Sequence, residues 1–131
     1  MSTNHKEFSW PVRVYYEDTD SGGVVYYANY LKFMERARTE LLRNIGFEQD
    51  KLQQESGIIF AVHSANVQYK KPARFNDELN VVTSLASLGR ASIDFKQSVY
   101  LQASHHENAP PGGLLCDAEI KIACLNAERF T

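Results

Sequence analysis

Three acids fall within four positions, Glu17-Asp18-Thr19-Asp20, and Gly22-Gly23 follow directly. Carboxylates at this spacing could bind a metal, carry a proton or attack a carbonyl carbon. A calcium loop counted from Asp18 needs an acidic or amide oxygen at its fifth position and Glu at its twelfth. Gly22 and Asn29 stand there, so the loop fails twice. A phosphoryl-transfer aspartate motif also begins Asp-x-Asp, but it needs a doubly wound parallel sheet, for which the chain has too few helices. A plain capping loop explains acids ahead of a helix. Capping needs one side chain, however, and the next residues, Gly22 to Tyr27 (GGVVYY), are too apolar for a solvated loop. The remaining chemistry uses the helix itself. Its first N–H groups and partial positive charge can hold a developing oxyanion. A neighbouring carboxylate, shielded by Val24 and Val25, can attack the carbonyl or deprotonate a water.

The elements that would position this loop can be read from periodicity. Residues 8–17 alternate as a strand, with Val12, Val14 and Tyr16 on one side. Over 28–44, Tyr30, Met34, Ala37, Leu41 and Ile45 form an apolar stripe widened by Phe33 and Leu42. Most of the charged residues, Arg36 and Arg38 among them, fall outside it. This is an amphipathic helix of about four turns, with Gly46 placed to end it. A short polar helix is expected at 48–55. Strands follow at 58–69, 79–85, 91–101 and 114–125, and 105–113 reads as a surface loop. The order β-α-β-β-β-β predicts an α+β fold, an antiparallel sheet of about five strands wrapped around one long helix. Such a sheet leaves an open edge and face, which pairing with a second copy would hide.

The 131 residues are expected to form one domain, 1–131, burying roughly two-thirds of the unfolded surface. A net charge of −2 gives no electrostatic case for nucleic acid. No apolar stretch reaches the ~20 residues of a membrane span, and the first residues lack the apolar core of a signal peptide. Cys116 and Cys124 are eight apart in one expected strand, about 26 Å, too far for a disulfide. Reduced thiols fit a cytoplasmic location.

The stretch "VRVYYEDTDSGGVVYYANYLKFMERARTELLR", together with "VQYKKPARFNDEL" further on, closely resembles the hotdog-fold acyl-CoA thioesterases of the 4-hydroxybenzoyl-CoA thioesterase type. It is most similar to the bacterial Tol–Pal-associated (YbgC-like) branch, from about Phe8 to Leu125. The resemblance implies acyl-CoA hydrolysis with no metal and no cofactor. It matches Asp20 to the catalytic carboxylate and the backbone N–H near Tyr27 to the group that polarises the thioester carbonyl. It also implies a homodimer joined edge to edge, often paired into a homotetramer, with active sites between subunits. Where part of the branch carries a histidine, this chain has Tyr27, so no catalytic imidazole is assigned. The family's basic C-terminal tail has no counterpart within these residues.

Gly23 and Val25 are expected to shape the substrate site. Lys70, Lys71, Arg74 and Arg90 are candidates for the coenzyme A phosphates, Lys71 and Arg90 foremost. His5, His63, His105 and His106 read as terminal, strand and loop residues, and no Cys/His spacing fits zinc. Ser21 lacks the Gly-x-Ser-x-Gly pattern of a nucleophile elbow. One rival is a non-catalytic acyl-binding or docking module that recruits acyl carrier protein or phospholipid-synthesis enzymes. Another is hydration of an acyl thioester, which needs a histidine that neither loop nor helix carries.

Overall fold

The computed structural model describes residues 7–104 and 112–131; His5, His105 and His106 lie outside them. The order is β1 (Phe8–Arg13), α1 (Tyr27–Asn44), α2 (Gln49–Ser56), β2 (Ile58–Tyr69), β3 (Glu78–Leu88), β4 (Ser92–Ala103) and β5 (Leu114–Asn126). All pairings are antiparallel, in the spatial order β1-β3-β4-β5-β2. Strand β2 is therefore an edge, although it is 12 residues long.

Helix α1 buries the expected stripe. Phe33, Met34 and Ala37 are wholly inside, packed with Leu79, Val81, Val99 and Cys116 from the sheet. Truncating a buried Phe of this kind costs about 3–5 kcal/mol. The helix stops where Gly46 takes a φ of +102°, and the Phe47 N–H reaches back to the Leu42 carbonyl.

Three expectations change. The first strand ends at Arg13, because Tyr16–Asp18 curl into a 3-10 turn. Ile45, read as part of the stripe, is half exposed. Arg38, read as outside it, is buried. Its Nη1 donates to Gln97 Oε1 at 2.9 Å, while Gln97 Nε2 donates to the Met34 carbonyl and to Thr83 Oγ1, both at 2.9 Å. Gln97 and Thr83 are fully buried. Burial holds the Arg38 pKa below its ordinary value, partly offset by nearby Glu35. A polar network thus fastens the middle of α1 to β3 and β4.

No helix among the described residues is long and apolar enough to cross a membrane.

Candidate functional site

The chain from β1 to α1 is built by its acids, and each has a different place. Asp18 is buried. Its Oδ2 accepts the Tyr15 N–H at 2.9 Å, its Oδ1 accepts the Asn29 Nδ2 amide at 2.8 Å, and its carbonyl accepts the Tyr26 N–H at 3.0 Å. With both oxygens occupied, it works as a strut between the turn and the first coil of α1. Glu17 is exposed. Asp20 begins a tight turn, closed by its own N–H to the Val24 carbonyl at 2.9 Å and by the Gly23 N–H to its carbonyl at 3.0 Å. Gly23 has a φ of +80°, which only glycine adopts without strain. The exposed Asp20 carboxylate accepts the Gly22 N–H at 2.8 Å. Among the described residues this local bond is the only one to the carboxylate, and it leaves the other oxygen open.

Val24 and Val25 then dock on the segment after β2. The Val25 N–H bonds the Ala73 carbonyl at 2.9 Å, and Val24 bridges to Arg74. This brings the chain to Tyr26, the N-cap of α1, which gives no side-chain bond to the helix. Asn29 N–H bonds the Tyr26 carbonyl, whereas the Tyr27 and Ala28 N–H groups have no acceptor among the described residues. The first turn of a helix cannot supply one. A serine or aspartate at the N-cap could accept the Ala28 N–H; Tyr26 leaves it open.

Asp20 and Tyr27 line one cavity of about 400 Å³, together with Val24, Val25, Tyr26, Tyr30, Tyr69, Lys70, Lys71 and Pro72. The Tyr69 ring lies 4.7 Å from Tyr27 and 5.6 Å from Tyr30, and its hydroxyl donates to the Tyr27 carbonyl at 3.3 Å. Tyr30 accepts the Ala73 N–H at 2.9 Å, and burial pushes its phenol up to about 12. Burial likewise raises Tyr69. The Lys70 and Lys71 N–H groups bond the Leu115 carbonyl, which ties this basic rim to β5.

Of the residues expected from sequence, Asp20, Val24, Val25, Tyr27, Lys70 and Lys71 share the cavity. Gly23 shapes the turn behind it. Arg90 lines a different cleft, beside Leu42 and Ile45 at the other end of α1. An 18-residue helix spans about 27 Å, so within one chain Arg90 is far from Asp20. His63 lies exposed at the bulge between Val62 and Ser64. The sequence reading missed Tyr69 and Tyr30 as cavity walls. The signal was present for Tyr69, which ends a strand directly before Lys70-Lys71-Pro72.

An antiparallel sheet curled on one long helix, with a carboxylate turn leading into the open amides of that helix, is the hotdog architecture. The chain belongs to the thioesterase superfamily, whose sequence profile matches residues 22–120. It is 44% identical over 119 residues to the acyl-CoA thioester hydrolase YbgC of Escherichia coli O157:H7, covering 91% of this chain and 82% of that one. Among solved structures, a probable thioesterase from Bartonella henselae superposes with a TM-score of 0.79 at 33% identity, covering 94% of both chains. The 4-hydroxybenzoyl-CoA thioesterase of Pseudomonas sp. strain CBS-3 shares the fold with a TM-score of 0.81 at 21% identity, covering 90% of this chain and 84% of that one.

Proposed function

We propose that the protein hydrolyses acyl-CoA thioesters to the free acid and coenzyme A. The observation that carries this reading is the common cavity of Asp20 and the uncapped start of α1. The thioester carbonyl oxygen accepts the Tyr27 and Ala28 N–H groups. Those donors strengthen their hold as the oxygen gains charge, which lowers the barrier. Asp20 then attacks the carbonyl carbon, the C–S bond breaks to release the coenzyme A thiolate, and water cleaves the resulting acyl–Asp20 anhydride to the free acid; or Asp20 takes a proton from a water that attacks the carbonyl carbon, and the tetrahedral intermediate expels the thiolate, which the proton then neutralises. Val24, Val25 and Tyr69 keep the reacting carbon out of bulk water. Gly23 and Val25 hold the turn against the substrate, and Tyr27 flanks it. Lys70 and Lys71 face the coenzyme A phosphates at the cavity mouth. Arg90 reaches that nucleotide only from another subunit.

The working form is a cytoplasmic homodimer, joined along β2 and paired further into a homotetramer. A 12-residue strand with one edge unpaired among the described residues and residues 62–66 exposed supports the dimer, because a long open edge is a template for pairing with another chain. The rival is a non-catalytic module of the same fold that binds acyl thioesters or acyl carrier protein, or docks phospholipid-synthesis enzymes. Turnover separates the two.

The test is thiol release from a panel of acyl-CoAs by the wild type and by Asp20→Asn. The variant is expected to lose about 10²-fold or more of kcat/KM. Its melting temperature should hold, because the side chain is exposed and the amide can keep the Gly22 bond. Near-wild-type turnover by the variant refutes the role of Asp20.

A further inference from the structure

Tyr69 ends β2 and leans on the first turn of α1. Its ring stands 4.7 Å from that of Tyr27 and 5.6 Å from that of Tyr30, and all three line the Asp20 cavity. Its hydroxyl donates to the Tyr27 carbonyl at 3.3 Å. Burial raises its pKa, so the phenol keeps the proton it donates.

The carbonyl it reaches has a special place. The C=O of Tyr27 and the N–H of Ala28 belong to one peptide unit, coupled by the partial double bond of the amide. The helix ladder uses one lone pair of that oxygen, for the N–H four residues on. The Tyr69 hydroxyl takes the other. A donor on the oxygen draws electron density from the nitrogen and makes the N–H a stronger donor. The Ala28 N–H is one of the two at the head of α1 with no acceptor among the described residues. At 3.3 Å the Tyr69 contact is longer than the ~2.7–2.8 Å usual between a hydroxyl and an oxygen. Contacts of this kind tighten as charge builds in an active site. An anionic oxygen on the Ala28 hydrogen would push electron density onto the Tyr27 carbonyl and draw the hydroxyl in.

We infer that Tyr69 is a positioning residue for thioester hydrolysis: through the Tyr27–Ala28 peptide, its hydroxyl strengthens the Ala28 N–H as a donor to the oxygen of the tetrahedral intermediate. The inference rests on the thioesterase reading and deepens it. No proton is transferred along this line of bonds. The substrate oxygen carries little charge in the bound thioester and far more in the intermediate. The gain therefore falls on kcat and leaves KM nearly unchanged. The Tyr27 N–H belongs to the preceding peptide and lies outside this relay.

Tyr69→Phe tests it, because it removes the hydroxyl and keeps the ring against Tyr27 and Tyr30. Loss of a whole oxyanion donor costs about 10²–10³-fold, and a cooperative partner strengthens a hydrogen bond by about 10–30%, so kcat is expected to fall about two- to eight-fold. KM for the same acyl-CoA and the melting temperature are expected to stay close to wild type. In isotope-labelled protein without substrate, nuclear magnetic resonance should show the Ala28 amide nitrogen shifted upfield, since its peptide carbonyl has lost a donor. The Tyr27 nitrogen should move less. An unchanged kcat, a loss confined to KM, or an unmoved Ala28 resonance each overturns the inference. Any of these results beside normal hydrolysis by wild type sinks the role of Tyr69 alone; no hydrolysis of the acyl-CoA panel by wild type sinks the thioesterase reading as well.

Discussion

The Asn29 side-chain amide donates to the buried Asp18 carboxylate at 2.8 Å, joining the acidic turn to the first coil of α1 across eleven residues. With the Tyr26 N–H on the Asp18 carbonyl, this bond holds the acidic turn, and so Asp20, against the Tyr27 and Ala28 amides. Asn29→Ala leaves the carboxylate short of a donor at a site water barely reaches. Stability should fall by about 1–3 kcal/mol in urea denaturation. Thioester hydrolysis should fall further than stability alone explains, measured well below the midpoint. Unchanged turnover in a fully folded variant removes the strut from the catalytic geometry.

The two glycines should respond differently. Gly23→Ala strains a φ of +80° and is expected to cost about 1–2 kcal/mol, seen as a lower melting temperature. At Gly22 a methyl group would stand 3.3 Å from Asp20 Oδ1, so the carboxylate must shift by a few tenths of an ångström. Gly22→Ala is therefore expected to cut kcat several-fold with little change in melting temperature, because a small misplacement of a reacting group is costly. Equal effects of both changes on both measurements would contradict this division.

Gln97 holds three groups at once: the Arg38 guanidinium, the Met34 carbonyl and Thr83. Gln97→Leu strands a buried cation and should cost about 3 kcal/mol or more. Arg38→Met with Gln97→Leu removes both partners and should recover most of that loss. Denaturant unfolding of the singles and the double checks the cycle. Strict additivity would show that the pair is not coupled.

Alkaline pH should loosen the fold. Burial raises Tyr30 from 10.0 to about 12 and Cys116 from 9.0 to about 11. Both groups are held neutral when folded and ionise earlier once unfolded. Their contribution is therefore complete below pH 9 and is lost progressively as pH climbs toward 12. Melting temperatures recorded from pH 8 to pH 11.5 should decline across that window; a flat profile contradicts the burial of these groups.

Much of this architecture was legible because its signals are periodic. The stripe from Tyr30 to Leu41 gave α1, and alternation gave β2 and β5 to within a residue, while β3 runs three residues and β4 two residues past their expected ends. Three features were not legible. The first strand looked four residues too long, because nothing in the alternation of Val12, Val14 and Tyr16 reveals that Asp18 will capture the Tyr15 N–H and curl the chain. Arg38 was assigned to the water side because a charged residue defaults there. Only its pairing with a glutamine 59 positions away makes burial tolerable, and such pairings carry no local pattern. Asp18 and Asp20 have the same side chain two positions apart. The sequence resemblance singled out Asp20; the hydrogen bonds add why Asp18 is occupied elsewhere. The walls contributed by Tyr30 and Tyr69 follow from tertiary folding, since Tyr69 comes from the far end of β2.

Tyr26 at the head of α1 carries a last consequence. A serine in its place would tether one of the loose amides, that of Ala28, and gain about 1 kcal/mol, a figure typical of helix caps. That gain would occupy a donor which the proposed mechanism offers to the thioester oxygen. The chain thus forgoes sturdiness at the point where it must greet its guest, and screens for thermal resistance should enrich cap-forming replacements at position 26 that have fallen silent as enzymes.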